Sequence, residues 1–177
     1  MKDCGGHLDI VPALSNPLSL SRPELHQTGK IVLVTGRGTS IGFHIVKSFI
    51  LAGVARAILV GRREVRETAA RDSPPWRSPR TSNETQTVSF HPESIHNQEF
   101  EKMGISETGL PFDDPAFPGA FAVWATTLEA RFLHGRFVWA SWDIDEYSPG
   151  EIRKRIEENV DFLRVGVVGL KGASRGW

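Results

Sequence analysis

The residues with the clearest chemical potential are Thr35-Gly36-Arg37-Gly38-Thr39-Ser40-Ile41-Gly42. They follow the continuous apolar run Ile31-Val32-Leu33-Val34, the pattern of a parallel strand buried on both faces. After them Ile41, Ile45, Phe49 and Ala52 fall at helical spacing, with Val46 and Ile50 widening the same stripe. A glycine-rich turn between a strand and a helix has specific chemistry. Glycines reach positive φ and let backbone amides approach a pyrophosphate, while the helix start offers unpaired N–H groups and a dipole favouring an anion. The turn reads as a phosphate cradle for a dinucleotide cofactor because both flanks are those such a site requires. A ligand-free strand-to-helix turn is the plain alternative.

Other chemistry-bearing side chains do not converge. His44 lies on the helix after the turn, His91 and His96 flank a later strand, and His134 ends a later helix. None forms a His-x-x-x-His pair or joins Cys or Asp residues at metal-ligand spacing, so no metal site is expected. Asp143, Asp145 and Glu146 read as a solvated acidic turn. Tyr147, the single tyrosine of the chain, precedes Ser148-Pro149-Gly150 and reads as a loop residue. No residue is assigned a catalytic role.

The elements that must position the turn follow from periodicity and breakers. Residues 1–29, with Pro12, Pro17 and Pro23, form an irregular leader lying over the surface or partly disordered. Residues 30–72 hold the strand, the helix ended by Gly53, a second strand at Ala57–Val60 and a short polar helix at Arg63–Arg71. Ser73–Gln86 has three prolines and almost no apolar residues, and is a linker or junction. In residues 87–146 a strand at Thr87–Phe90 is followed by a helix from Pro118 to Leu133, with Phe121, Trp124, Ala125, Leu128 and Phe132 on one face. Gly135 caps that helix, and Arg136–Ala140 is another strand. Residues 147–177 carry an exposed helix at Ser148–Asn159, N-capped by Ser148, and a tail. The order is that of an α/β fold.

Bulk properties narrow the partners. At 177 residues a single domain is the default, and 40% hydrophobic with 24% charged residues is ordinary for a soluble protein. A formal net charge of zero gives no electrostatic reason to expect nucleic acid or an anionic membrane. No apolar run approaches the roughly 20 residues that a membrane-spanning helix needs. Cys4 is the sole cysteine, which fits a reducing, cytoplasmic setting.

With those residues in view, TGRGTSIG resembles the TGxxxGIG turn of the short-chain dehydrogenases/reductases, which use NAD or NADP for hydride transfer. Thr35, Gly36, Ile41 and Gly42 match, whereas Ser40 stands at the family's second glycine, where its hydroxymethyl group is expected to crowd either the pyrophosphate or the helix–strand packing and so weaken binding. Arg37 and Gly38 fill the variable positions of the turn. Gly61-Arg62-Arg63 has no acid at the end of the second strand, so Arg62 resembles the position that accommodates the 2′-phosphate of NADP, with Arg37 a second candidate. The block Val88–Gly104 resembles a later strand and loop of fungal members, where His-Pro-Gly is usual and Glu93 here replaces that glycine. Gly109–Glu146 resembles their late helix, last strand and Gly-Arg-Phe-Val-Trp signature, in which Phe132, Phe137, Trp139 and Trp142 are expected to bury large areas. Fungal relatives often act on ketones or alcohols in secondary metabolism.

The resemblance also exposes what is missing. The family places an asparagine, a serine and a Tyr-x-x-x-Lys pair between these two blocks, and four positions after Tyr147 stands Glu151. Only 27 residues lie between Val60 and Val88, too few for several crossovers that each need a dozen or more. The expected fold is a Rossmann-like parallel sheet, incomplete, lacking its middle strands and helices. Either the first strand pairs directly with Thr87–Phe90, or apolar edges stay open and invite self-association. The functional expectation is an internally truncated reductase-like protein without catalysis. A non-catalytic NADP-binding module, or a subunit of a hetero-oligomeric oxidoreductase, is the alternative.

Overall fold

The computed structural model describes residues 17–36, 40–60 and 86–165. Four short strands form two separate parallel pairs. Strand β1 (Ile31–Thr35) pairs with β2 (Arg56–Val60), with Ile31 opposite Arg56 and Thr35 opposite Val60. Strand β3 (Ser89–His91) pairs with β4 (Phe137–Trp139), with Phe90 opposite Val138. Among the described residues no ladder joins β1 to β3, so of the two arrangements expected for the shortened sheet the open one is realised. The architecture is α/β and consistent with an incomplete Rossmann-like fold.

Helices bind the two pairs together. Helix α1 (Ser40–Leu51) crosses from β1 to β2, and α3 (Ala116–Ala125) precedes β4. Between β3 and α3 lies the short helix α2 (Gln98–Lys102), whose cap residue Asn97 accepts a bond from the Glu99 amide. Phe49 and Ala52 of α1 meet Phe117, Ala120, Phe121, Val123 and Trp124 of α3 in one hydrophobic core. Gly119 marks the closest approach. A Cβ there would collide with Ser48 Oγ and lie 2.7 Å from the carbonyl oxygen of His44. Only a residue without a side chain permits this crossing, as in helix pairs generally where backbones come close.

The predicted surface leader is partly core. Its 3-10 turn Pro23–Leu25 inserts the fully buried Leu25, and Leu18 joins it. Buried Gln27 ties this segment to both helices: its amide donates to the Ala52 carbonyl (2.8 Å), and its side-chain oxygen accepts from Thr126 Oγ1 (3.4 Å). Gly53, at φ 82°, ends α1 as the sequence indicated.

Several expectations are corrected. The strands β1 and β2 are not buried on both faces: Ile31, Leu33, Ile58 and Val60 are exposed, because α1 covers one face and no described element covers the other. Ile50 is exposed too, since the buried stripe of α1 is narrower than its apolar pattern. The helix expected over Pro118–Leu133 stops at Ala125, where Thr126 Oγ1 bonds back to the Val123 carbonyl, and resumes as a 3-10 helix at Glu129–Leu133, leaving Leu128 exposed. The final helix expected at Ser148–Asn159 forms as α5 (Gly150–Glu158), with its cap position held by Pro149 rather than Ser148, and a separate short helix α4 (Ile144–Tyr147) precedes it. Helix α5 is not fully exposed either, because Ile156 is buried. The deepest aromatics are Phe121, Trp124 and Tyr147, whereas Trp139 stays exposed and Phe132, Phe137 and Trp142 are half-buried. The expected helix at Arg63–Arg71 lies outside the described residues.

Gly119→Ala is expected to lower stability by about 1–3 kcal/mol, the usual range for overpacking. Adding Ser48→Ala should restore only part of that loss, because the His44 carbonyl still opposes the new methyl group. Urea denaturation of the three variants measures both effects.

Candidate functional site: the glycine-rich turn

Strand β1 delivers the chain to the turn, and the parallel register fixes where it ends. Thr35 lies opposite Val60, and the Gly36 amide donates to the Val60 carbonyl at 3.0 Å. Gly36 has φ 79°, a left-handed conformation that glycine adopts at little cost; the space around it is open, so conformation alone explains the residue. Ser40 opens α1, Ile41 is half-buried and Gly42 buried. The first turn of α1 holds no acidic residue, which suits an anion at its positive end. The structure brings Thr35, Gly36, Ile41 and Gly42 together in this strand-to-helix connection. Arg37, Gly38 and Arg62 lie outside the described residues; Arg62 follows Val60 by two positions in sequence.

Tyr147 is in α4, not in a loop, and is almost fully buried among Trp124, Phe132 and Trp142, its ring perpendicular to that of Trp124. Its hydroxyl has no hydrogen-bond partner among the described residues. Burial, reinforced by the nearby Asp143 charge, pushes its pKa far above the ordinary phenol value. The hydroxyl is closed off from solvent by this cluster. The acidic cluster is equally structural: Asp143 caps α4 by accepting from the Asp145 amide, and Asp145 forms a two-pronged ion pair with Arg22 at 2.7 and 3.1 Å. That bond to Arg22 holds the Asp145 carboxyl below its ordinary pKa.

The histidines, scattered in sequence, partly converge. His44 and His96 line a polar hollow of about 800 Å³ together with Glu101, Glu107, Asp113 and Asp114. Its polar groups serve the backbone: Asp113 accepts from the Ser94 amide, Asp114 from the Ala116 amide, and His96 Nε2 contacts the Ile105 carbonyl. Among the described residues no three such side chains are placed to hold a metal ion. Burial, aided by the charge of Lys47, lowers the pKa of His44 from its usual value.

One further residue was not singled out by sequence reading, and another, Glu93, was noted only as standing at a glycine position. Arg136, placed in a strand by its neighbours, is buried and donates to the carbonyls of Ile156, Val160 and Phe162, all at 2.7 Å. It closes the C-terminal end of α5, where a cation is favoured. Glu93 has φ 70°, and its carboxylate accepts from the Ser141 amide at 3.0 Å. The position where glycine is usual in the resembling proteins therefore does adopt a glycine-type backbone here.

Comparison with known proteins points the same way. The chain is similar to short-chain dehydrogenases/reductases. It is 37% identical over 86 residues to the short chain dehydrogenase/reductase nsrO of Aspergillus novofumigatus, covering 49% of this chain and 29% of that protein. It is 36% identical over 90 residues to AacuD of Aspergillus aculeatus, covering 50% and 30%. A short chain dehydrogenase/reductase of Claviceps purpurea is 32% identical over 88 residues, covering 50% and 29%. The chain thus spans under a third of the length of each curated relative. No family model matches it, and no solved structure does. Among the described residues no helix is long and apolar enough to cross a membrane.

Two measurements follow from this geometry. Glu93→Ala and Glu93→Gly both remove the bond to Ser141, but only glycine relieves the left-handed backbone, so the glycine variant is expected to be the more stable by about 1 kcal/mol in urea titrations. His44 has a folded pKa below its unfolded value near 6.5, so its contribution is present above that pH and lost as pH falls through the folded value. Denaturation midpoints at pH 7.5 and pH 5 should therefore converge in His44→Gln relative to the unmodified chain.

Proposed function

We propose that this chain is an internally shortened relative of the short-chain dehydrogenases/reductases that retains the dinucleotide-binding beginning of the fold and has lost catalysis. The family activity is NADP-dependent interconversion of a ketone and an alcohol, and fungal secondary metabolism is the setting we infer for it. The observation that carries the reading is the break in the sheet. Among the described residues two parallel pairs, each of the kind a Rossmann-like sheet contains, share no ladder, and the 27 residues between Val60 and Val88 are too few for the crossovers that would join them. That interval is where the family's tyrosine and lysine belong, and the buried Tyr147 supplies no substitute.

NADP is the cofactor we assign, through Thr35, Gly36, Arg37, Gly38, Ser40, Ile41 and Gly42 at the pyrophosphate and Arg62 at the 2′-phosphate, with Ser40 weakening the fit. The open space and positive φ at Gly36 and the acid-free start of α1 support this. In the relatives the nicotinamide carries the hydride; in this chain the residues named would bind and orient the nucleotide without a proton donor beside it. The domain boundaries that accompany the reading are a leader at 1–29, the nucleotide-binding unit at 30–72, the junction at 73–86, the C-terminal part of the fold at 87–146 and the tail at 147–177. The cytoplasm is the compartment we infer.

Purified chain is expected to show no NADPH-dependent reduction of ketones above the protein-free background; measurable turnover would refute the loss of catalysis. NADPH fluorescence should titrate to saturation in the millimolar range, with Arg62→Ala weakening NADPH about tenfold, near 1.4 kcal/mol, and leaving NADH unchanged. Absence of a saturable signal would remove the nucleotide site from the proposal. A transcript that carries a Tyr-x-x-x-Lys segment between Asp72 and Thr87 would show that the working protein is longer than this chain.

A further inference from the structure

Among the described residues the β1–β2 pair carries a helix, α1, on one face only. Pairing of Leu33 with Ile58 and of Thr35 with Val60, together with strand alternation, sets Ile31, Leu33, Ile58 and Val60 side by side on the opposite face. They are 45, 59, 40 and 47% exposed. A parallel sheet is ordinarily covered on both faces, because its strands are apolar throughout. We propose that this bare face is where two copies of the chain associate, sheet against sheet.

Three observations select a second copy as the occupant. The first is composition. The six positions of the face are Ile31, Leu33, Thr35, Arg56, Ile58 and Val60, with no carboxylate among them; Arg56 sits at the corner where β2 begins. A patch of aliphatic residues with no acid to seek a basic partner is complementary to itself, which suits a twofold contact in which the same patch of each copy meets that of the other. The second is area. The four aliphatic side chains expose on the order of 300 Å², a large share of the non-polar part of the roughly 800 Å² that one partner gives to a standard interface. The third is continuity. Leu33 and Thr35 also line a groove of about 400 Å³ that runs between β1 and Val88 and Phe90, over Ile45, Phe49, Ala122 and Ala125, so the apolar surface extends beyond the face itself. The zero net charge of the chain removes long-range repulsion between copies. None of this rests on cofactor binding.

Sedimentation velocity of the full chain from about 1 to about 100 µM tests the proposal. The unmodified chain is expected to form dimers, and Leu33→Lys with Ile58→Lys to sediment as a monomer with an unchanged far-UV circular dichroism spectrum. Ile50→Lys, exposed on α1 and away from the face, should leave the dimer intact. An unmodified chain that is monomeric throughout overturns the proposal, since something other than a second copy then covers the face. So does a dimer that survives both lysines. If the lysine variant loses its folded spectrum, Leu33→Thr with Ile58→Thr keeps residues that suit strands. It should weaken dimerisation at least about tenfold, and an unchanged association constant would again overturn the proposal.

Discussion

The crossing of α1 and α3 at Gly119 is the contact on which the rest of the molecule depends. The two strand pairs share no ladder among the described residues, so backbone hydrogen bonds cannot hold one to the other. What does so is a single layer of helix packing, in which Phe49 and Ala52 meet Phe117, Phe121 and Trp124 because a glycine lets the helix backbones close in. Gln27 and Gln86 secure its margins. Gln27 links the leading segment to the end of α1 and to Thr126, while the Gln86 side-chain amide donates to the carbonyls of Ala125, at the end of α3, and of Ala130 in the 3-10 helix that follows. A fold whose sheet is interrupted can therefore keep a continuous core, provided that its helices remain adjacent.

This division explains which features were legible in the sequence. Strands β1 and β2, helix α1 and its glycine terminator are encoded locally, by a run of β-branched residues, a helical stripe and a positive-φ stop, and they form close to where the pattern puts them. The face that those strands present is not a local property. Val and Ile runs promise burial on both sides, yet burial needs neighbours that only the rest of the chain can bring, and Leu33 and Ile58 lack them. The helix after Ala116 shows the opposite failure. Its apolar stripe continues to Phe132, but the threonine pair at 126 and 127 diverts the backbone, and Leu128 turns outward.

The candidate site divides in the same way. Gly36 and Gly42 announce themselves by residue type; Gly36 has the left-handed backbone that glycine adopts readily, and Gly42 lies within α1. Arg136 could not be recognised, because its three carbonyl partners lie 20 or more residues ahead and only the tertiary fold gathers them. Tyr147 was misplaced for a related reason. The Ser-Pro-Gly sequence after it signals a loop, and that signal is correct for Pro149, but the short helix α4 before it turns the ring into the aromatic cluster with Trp124.

Parallel pairing imposes an order of events as the chain is made. Residues of β1 and β2 lie 25 positions apart and can meet soon after both are synthesised, whereas Ser89 must wait for Phe137. Closing the longer loop costs more entropy before any contact repays it. Throughout that interval the apolar side of α1, with Val46, Phe49 and Ala52, has no α3 to lie against. The nascent chain thus passes through a stage at which its first half displays a sticky helix surface, a period of vulnerability to chaperone capture and misassembly set by the separation of the two ends of the core.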